Sequence, residues 1–151
     1  MIQRIQSIWL LLAALTILCL LFVPVFTANS GETHYTLYGS GLKWHGSDVR
    51  DSSTNLPLAI STILAGLISL INIFNFRNRS LQKRIATLNI ILILGLSFWL
   101  SQLGRQIPGG LEKATIGAGL FLPLIAIIFT LLAIKGIKHD DQLIRSADRL
   151  R

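Results

Sequence analysis

The sequence carries little charge for its length. Lys, Arg, Asp and Glu make up 14% of the 151 residues, whereas they make up about 25% of a typical soluble domain. Apolar residues make up 52% of the chain, and most of them are gathered into four long runs. This distribution argues against an ordinary soluble fold and predicts helices that lie in lipid.

Cysteine is almost absent as well. The single one, Cys19, lies within the first apolar run, so neither an intramolecular disulfide nor a CxxC redox pair can form. A four-helix membrane thiol oxidoreductase is thereby excluded. We interpret Cys19 as a small apolar side chain that fills space in a helix.

The four apolar runs contain no Asp, Glu, Lys, Arg or His. They cover residues 5–26, 56–76, 85–103 and 114–134, and at about 1.5 Å per residue each can cross a hydrocarbon core of about 30 Å. Ionisable side chains inside a membrane mark proton relays, ion pathways and haem ligands. Their absence excludes a multidrug exporter with a helix carboxylate and a membrane cytochrome.

Motifs of catalysis and metal binding are lacking too. The chain has no phosphate-cradling glycine loop and no recognisable nucleophile–base pair, so we expect neither enzymatic activity nor a cofactor. His34 and His45 lie in the polar segment 27–55, and His139 lies beyond the fourth run. The three would lie on opposite sides of the membrane, and the outer pair alone lacks the further ligands that zinc prefers.

A basic segment near the midpoint sets the predicted orientation. Residues 77–84, Arg-Asn-Arg-Ser-Leu-Gln-Lys-Arg, connect the second and third runs, and cationic loops of this length stay in the cytoplasm. Both termini are then cytoplasmic, with ten of the 14 Lys and Arg residues inside. The four outside are Lys43, Arg50, Arg105 and Lys113. This bias is the one that the positive-inside rule requires.

The polar segment 27–55 shows a hairpin pattern. Residues 35–38 and 42–45 are rich in aromatic and β-favouring side chains, and Gly39-Ser40-Gly41 separates them. We interpret Tyr35, Tyr38 and Trp44 as anchors at the membrane–water interface rather than as a ligand site.

Residues 135–151 are polar again and predict a short amphipathic tail helix. Leu143, Ala147 and Leu150 share one face, with Arg145 and Arg149 one turn apart beside it. An apolar stripe flanked by cations suits a lipid surface or an acidic partner.

Small residues and a proline add detail to the runs. Ser61, Ala65 and Ser69 recur every four residues, which predicts a close helix–helix contact in lipid. Pro123 lies inside the fourth run and is expected to bend that helix. The predicted fold is therefore an all-α membrane protein, a single domain over residues 1–151. Its architecture is an antiparallel four-transmembrane-helix bundle with a short β-leaning outer loop and a cytoplasmic amphipathic tail helix.

Both ends of the chain support a resemblance. With four runs of this spacing, the opening residues 1–7, Met-Ile-Gln-Arg-Ile-Gln-Ser, and the closing residues 144–151, Ile-Arg-Ser-Ala-Asp-Arg-Leu-Arg, resemble domain-of-unknown-function family 4293, four-helix inner-membrane proteins of the Bacteroidota. The resemblance implies a multi-pass protein of the bacterial inner (cytoplasmic) membrane and supplies no catalytic residues. The layout, with Gly41-Leu42-Lys43-Trp44 in the outer loop, is also similar to claudin-like proteins in architecture alone, because their paired loop cysteines are missing.

The distribution of cations suggests a binding role. We expect a non-enzymatic accessory or scaffold subunit that binds anionic headgroups and an unidentified protein partner through its basic inner face. Nucleic acid is not expected, because the cations lie between apolar runs rather than on one folded face. The expected binding residues are Arg77, Arg79, Lys83, Arg84, Arg145 and Arg149. A second interpretation is a small transporter or lipid-binding protein with a path along Asn72, Asn75, Asn89 and Gln102.

Overall fold

The computed structural model describes residues 3–30, 33–45, 50–106 and 114–148. This part of the chain contains four α-helices, five β-strands and two 3₁₀ turns. The helices are α1 (Gln3–Cys19), α2 (Leu56–Phe74), α3 (Arg79–Arg105) and α4 (Leu122–Asp148). The strands are β1 (Phe26–Ser30), β2 (Thr33–Tyr38), β3 (Gly41–His45), β4 (Arg50–Thr54) and β5 (Ala114–Ile116). The 3₁₀ turns are Asn75–Arg77 and Ala118–Phe121.

The helices pack in the cyclic order α1–α2–α3–α4. Helix α1 packs extensively against α2 and α4, whereas α3 makes smaller contacts with the same two helices. All five strands lie at one end of the helices, here called the sheet end. The start of α3 and the last turns of α4 lie at the other end, here called the basic end. Because α3 packs less closely than α1, a groove remains beside it.

Three of the four helices are long and apolar enough to cross a membrane. They cover 56–77, 79–105 and 118–143, and large apolar side chains on them are exposed, such as Leu88 at 62% and Phe98 at 66%. Exposed apolar patches of this extent are incompatible with water and indicate a membrane-embedded protein. The fourth apolar helix, α1, is shorter, because it ends at Cys19 rather than at the predicted residue 26.

Proline and the sheet explain the early end of α1. After Cys19 the amides of residues 20–22 bond three residues back, a tightening typical of a helix end. Pro24 cannot donate a backbone hydrogen bond, and the Val25 amide donates to the Leu37 carbonyl at 2.8 Å. The chain therefore leaves the helix and becomes strand β1.

The predicted fold is confirmed only in part: the described residues are mostly helical, but the strands form a five-stranded antiparallel sheet in the order β4-β3-β2-β1-β5, which an all-α fold does not include. The predicted hairpin is confirmed as β2–β3, with Tyr35 opposite Trp44. Strands β1 and β4 extend it, and β5 comes from residues predicted to open the fourth helix. A Cβ at Gly117, which follows β5, would lie 2.2 Å from the Pro24 carbonyl oxygen, so this approach requires glycine.

The last helix also differs from its prediction. Helix α4 begins at Leu122, and Pro123 lies in its first turn, where the missing amide costs little. The expected bend is therefore absent at Pro123. Residues 135–148, predicted as a separate tail helix, continue α4 without a break. No proline follows Pro123 to stop the helix.

Helix α3 begins earlier than the predicted residue 85. The Asn78 side chain accepts a hydrogen bond from the Leu81 amide at 3.3 Å, which caps the first turn. Arg79, Lys83 and Arg84 are therefore helical rather than in a loop.

One apolar core joins the helices to the sheet. Ile17 of α1 and Leu20, which follows the end of that helix, pack with Leu37 of β2 and with Leu96 and Leu100 of α3. The sheet therefore rests on the helix ends, as expected for strands too few to be stable alone.

Candidate functional site

Five of the six predicted binding residues lie in the part of the chain that the structure describes, on three elements at the basic end: the 3₁₀ turn Asn75–Arg77, α3 and α4. Arg77 and Arg84 are exposed, and Arg79 and Lys83 are half-buried. Arg145 lies in the last turns of α4, and Arg149 lies outside the described residues. The structure thus brings the cations of the midpoint segment close to α4.

Lys83 and Asp141 form the link between these elements. Lys83 Nζ lies 3.1 Å from Asp141 Oδ2, and the two side chains are 30% and 27% exposed. A pair with this exposure contributes up to about 1 kcal/mol. The sequence does not predict this pair, because spacing along the chain relates only residues on the same helix.

A second polar contact at this end joins α1 to α4. The Gln6 amide Nε2 donates a hydrogen bond to Asp140 Oδ2, and both side chains are buried. Gly136 makes room for it, since a Cβ there would lie 3.1 Å from Gln6 Cγ. The sequence does not predict this pair, because Asp140 lies in the polar segment 135–151, whose composition is typical of a solvent-exposed tail.

Another candidate region is the contact between α2 and α3. Asn72 Nδ2 donates a hydrogen bond to the backbone carbonyl oxygen of Gln82 at 3.1 Å, and Gln82 Nε2 donates one to the backbone carbonyl oxygen of Asn72 at 3.2 Å. Asn89 Nδ2 donates to Ser69 Oγ at 2.6 Å. All four side chains are buried. Polar residues of this kind hold helices together in lipid.

The four residues of the second interpretation do not form a continuous path. Asn72 and Asn89 share the α2–α3 contact, whereas Asn75 is half-buried beyond the end of α2 and Gln102 is exposed near the sheet end. What the structure shows instead is an apolar groove beside Asn89.

This groove runs between α2 and α3 and has a volume of about 800 Å³. Ligand pockets typically measure about 300–1,000 Å³. Its walls are almost entirely apolar, Asn89 and Ser61 being the polar residues that line it and Trp99 lying at its sheet end. Asn89 is 1% exposed, and its Oδ1 accepts no hydrogen bond from the described residues. The groove therefore has the size and the apolar lining of a ligand site.

A smaller depression of about 530 Å³ lies on α4 at the basic end. Lys135, Lys138, His139 and Gln142 line it, and all four are exposed. Sequence analysis placed these cations in the tail but not beside one another in a concave surface.

The two outer histidines are neighbours in the sheet. His34 lies opposite His45 across β2–β3, and its Nδ1 lies 2.6 Å from Asn29 Oδ1. Among the residues in the described ranges, no three His, Cys, Asp or Glu side chains form a group that could hold a metal.

Comparison with known proteins agrees with the resemblance of the chain ends. No curated protein matches the chain. The model of a family described as a domain of unknown function, DUF4293, matches residues 2–150. Since that match covers nearly the whole sequence, the chain belongs to the DUF4293 family.

Proposed function

We propose that this protein is a non-enzymatic accessory or scaffold subunit of the bacterial inner membrane. In this proposal the four helices form an antiparallel transmembrane bundle, with both termini and the basic end in the cytoplasm. The basic end binds an acidic surface of a protein partner, with anionic headgroups around it. The proposal includes no catalytic step and no cofactor.

The observation that carries this proposal is the unbroken continuation of α4 to Asp148. A continuous helix fixes the relative positions of the residues that it carries, so less conformational entropy is lost when they bind a partner. The Lys83–Asp141 pair braces the helix against α3. The cations on this extension are therefore carried by a rigid element, which favours a binding surface over a solvated end.

The charges around the extension favour an acidic partner. Lys135, Lys138 and His139 line the depression on α4, and Arg84 is exposed at the start of α3. Contacts between exposed charges weaken as salt rises, because the Debye length is about 8 Å at physiological ionic strength and about 3 Å at 1 M. We therefore expect the partner to dissociate when the salt concentration is raised.

The test is affinity purification in mild detergent with mass spectrometry of the co-purifying proteins. The variant Arg145→Glu with Arg149→Glu should insert normally and lose the stoichiometric partner. A matched control, Lys43→Glu with Arg105→Glu, makes the same change of net charge on two exposed cations at the sheet end and should retain it. Wild-type stoichiometry in the first variant would show that the end of α4 is only a solvated cap.

The groove between α2 and α3 favours a second function, the binding of a lipid-like molecule. That function does not depend on the cations, so the two tests are independent.

A further inference from the structure

Asn89, which lines the α2–α3 groove, has a side-chain amide with only one of its two polar atoms hydrogen-bonded within the described part of the chain. Asn89 uses one of its two polar atoms on Ser69 Oγ at 2.6 Å, and the other has no partner among the described residues. The Ser69 hydroxyl can donate as well as accept, so this holds for either orientation of the amide. A buried polar group without a partner is unfavourable in a medium that contains no water.

The position of Asn89 matches a molecule that lies along the groove. Asn89 and Trp99 both line it, and Trp99 comes ten positions after Asn89 on α3, a rise of about 15 Å along the helix. This is half of a hydrocarbon core of about 30 Å, so one extended lipid chain is long enough to reach from Asn89 to Trp99. The groove is open between them, since a Cβ at Gly95 would meet nothing within 4 Å.

From these observations we propose that the groove binds a single-chain amphiphile that carries a hydroxyl group. The hydroxyl bonds the free polar atom of Asn89, and the hydrocarbon chain lies past Gly95 toward Trp99. A hydroxyl fits best because it can donate or accept and so pairs with either atom of the amide. A charged headgroup fits poorly, because Asn89 lies more than one turn inside the apolar part of α3.

The test measures quenching of Trp99 fluorescence by a chain that ends in bromine. The protein is placed in nanodiscs of dioleoylphosphatidylcholine, whose headgroup has no hydroxyl. The probes are ω-bromododecanol and bromododecane, which differ only in the hydroxyl. Trp9 and Trp44 also fluoresce, so the signal is the difference between the wild type and Trp99→Phe.

The alcohol should quench at about fivefold lower concentration than bromododecane, since one hydrogen bond in lipid contributes about 1 kcal/mol. Asn89→Leu should abolish this difference. Gly95→Phe should abolish saturable quenching by both probes, because its ring fills the groove without meeting protein atoms at the Cβ. Asn72→Leu is the matched control: Asn72 is buried in the same contact with an unpaired Oδ1 but does not line the groove, so quenching should be unchanged.

Equal quenching by the two probes in the wild type would overturn the proposal, because it would reflect simple partition into lipid. The proposal would also fail if Gly95→Phe quenched like the wild type. A third outcome is a dimer of the wild type, seen by light scattering, that Gly95→Phe dissociates while neither probe saturates. It would assign the groove to a second copy of the chain and overturn the proposal too.

Discussion

At the scale of single residues, two helical glycines report how differently the surfaces of α2 and α3 are packed. A Cβ at Gly66 of α2 would lie 2.8 Å from Cγ of Leu18 on α1. A Cβ at Gly95 of α3 would meet nothing within 4 Å. Backbones approach closely only where such small residues face each other. Gly66 is therefore part of a tight helix contact, and Gly95 is not.

The pair provides a stability test with an internal control. Alanine is favoured over glycine in a helix by about 1 kcal/mol at either position, but overpacking costs about 1–3 kcal/mol only where a neighbour must move. We expect Gly95→Ala to raise the melting temperature in detergent and Gly66→Ala to lower it relative to Gly95→Ala. Equal melting temperatures of the two variants, measured by circular dichroism, would contradict the close approach of α1 and α2.

The spacing of small residues in the sequence predicted part of the packing of α2. The predicted small face of Ser61, Ala65 and Ser69 is largely confirmed, since Ala65 and Ser69 are buried and Ser69 bonds Asn89 of α3. Spacing along one helix shows which residues share a face, but not which residue of another helix faces them. The Lys83–Asp141 and Gln6–Asp140 pairs could not be predicted for this reason.

At the scale of elements, the apolar runs predicted which segments are helical better than they predicted the helix ends. Helix α2 matches its run closely. The first and fourth runs, in contrast, are not helical throughout at the sheet end. The first run ends with Phe26, the first residue of β1, and the fourth run begins with residues 114–116, which form β5. Hydrophobicity alone does not distinguish a short strand from a helix turn. Pairing between β1 and β5 decides the matter, and that pairing joins residues far apart in the sequence.

The register of β1 and β5 can be tested by crosslinking. Thr27 and Thr115 are directly opposite, and opposite residues in antiparallel strands have Cα atoms about 4.5–5.5 Å apart, within the range of a disulfide. In a Cys19→Ser background, Thr27→Cys with Thr115→Cys should form a disulfide on mild oxidation, detected as a linked peptide by mass spectrometry.

Its control shifts the register by one residue. Ala28→Cys with Thr115→Cys places the two thiols on opposite faces of the sheet, because side chains alternate along a strand. We expect no linked peptide from this variant. Efficient crosslinking of the shifted pair, or none of the Thr27–Thr115 pair, would contradict the observed register.

At the scale of the whole molecule, charge and secondary structure are divided between the two ends. The five strands share the sheet end, and the cations in the first two turns of α3 and on the α4 extension share the basic end. The uneven division of the 14 Lys and Arg residues, ten on the cytoplasmic side of the predicted topology and four on the other side, was available from the sequence. Of the sheet at the other end only the β2–β3 hairpin was predicted, because β5 joins the sheet from a separate segment of the sequence.

This division predicts how the protein faces the membrane. Moving a cationic segment across the bilayer against the membrane potential is unfavourable, so the basic end should face the cytoplasm and the sheet end should face outward. Lys43 of β3 and Ser80 of α3 are both exposed and lie at opposite ends. In a Cys19→Ser background, Lys43→Cys should react with a membrane-impermeant maleimide in intact spheroplasts. Ser80→Cys should react only after lysis, which also controls for its accessibility. Labelling of Ser80→Cys in intact spheroplasts, with Lys43→Cys protected until lysis, would reverse the orientation and remove the basis for a cytoplasmic partner.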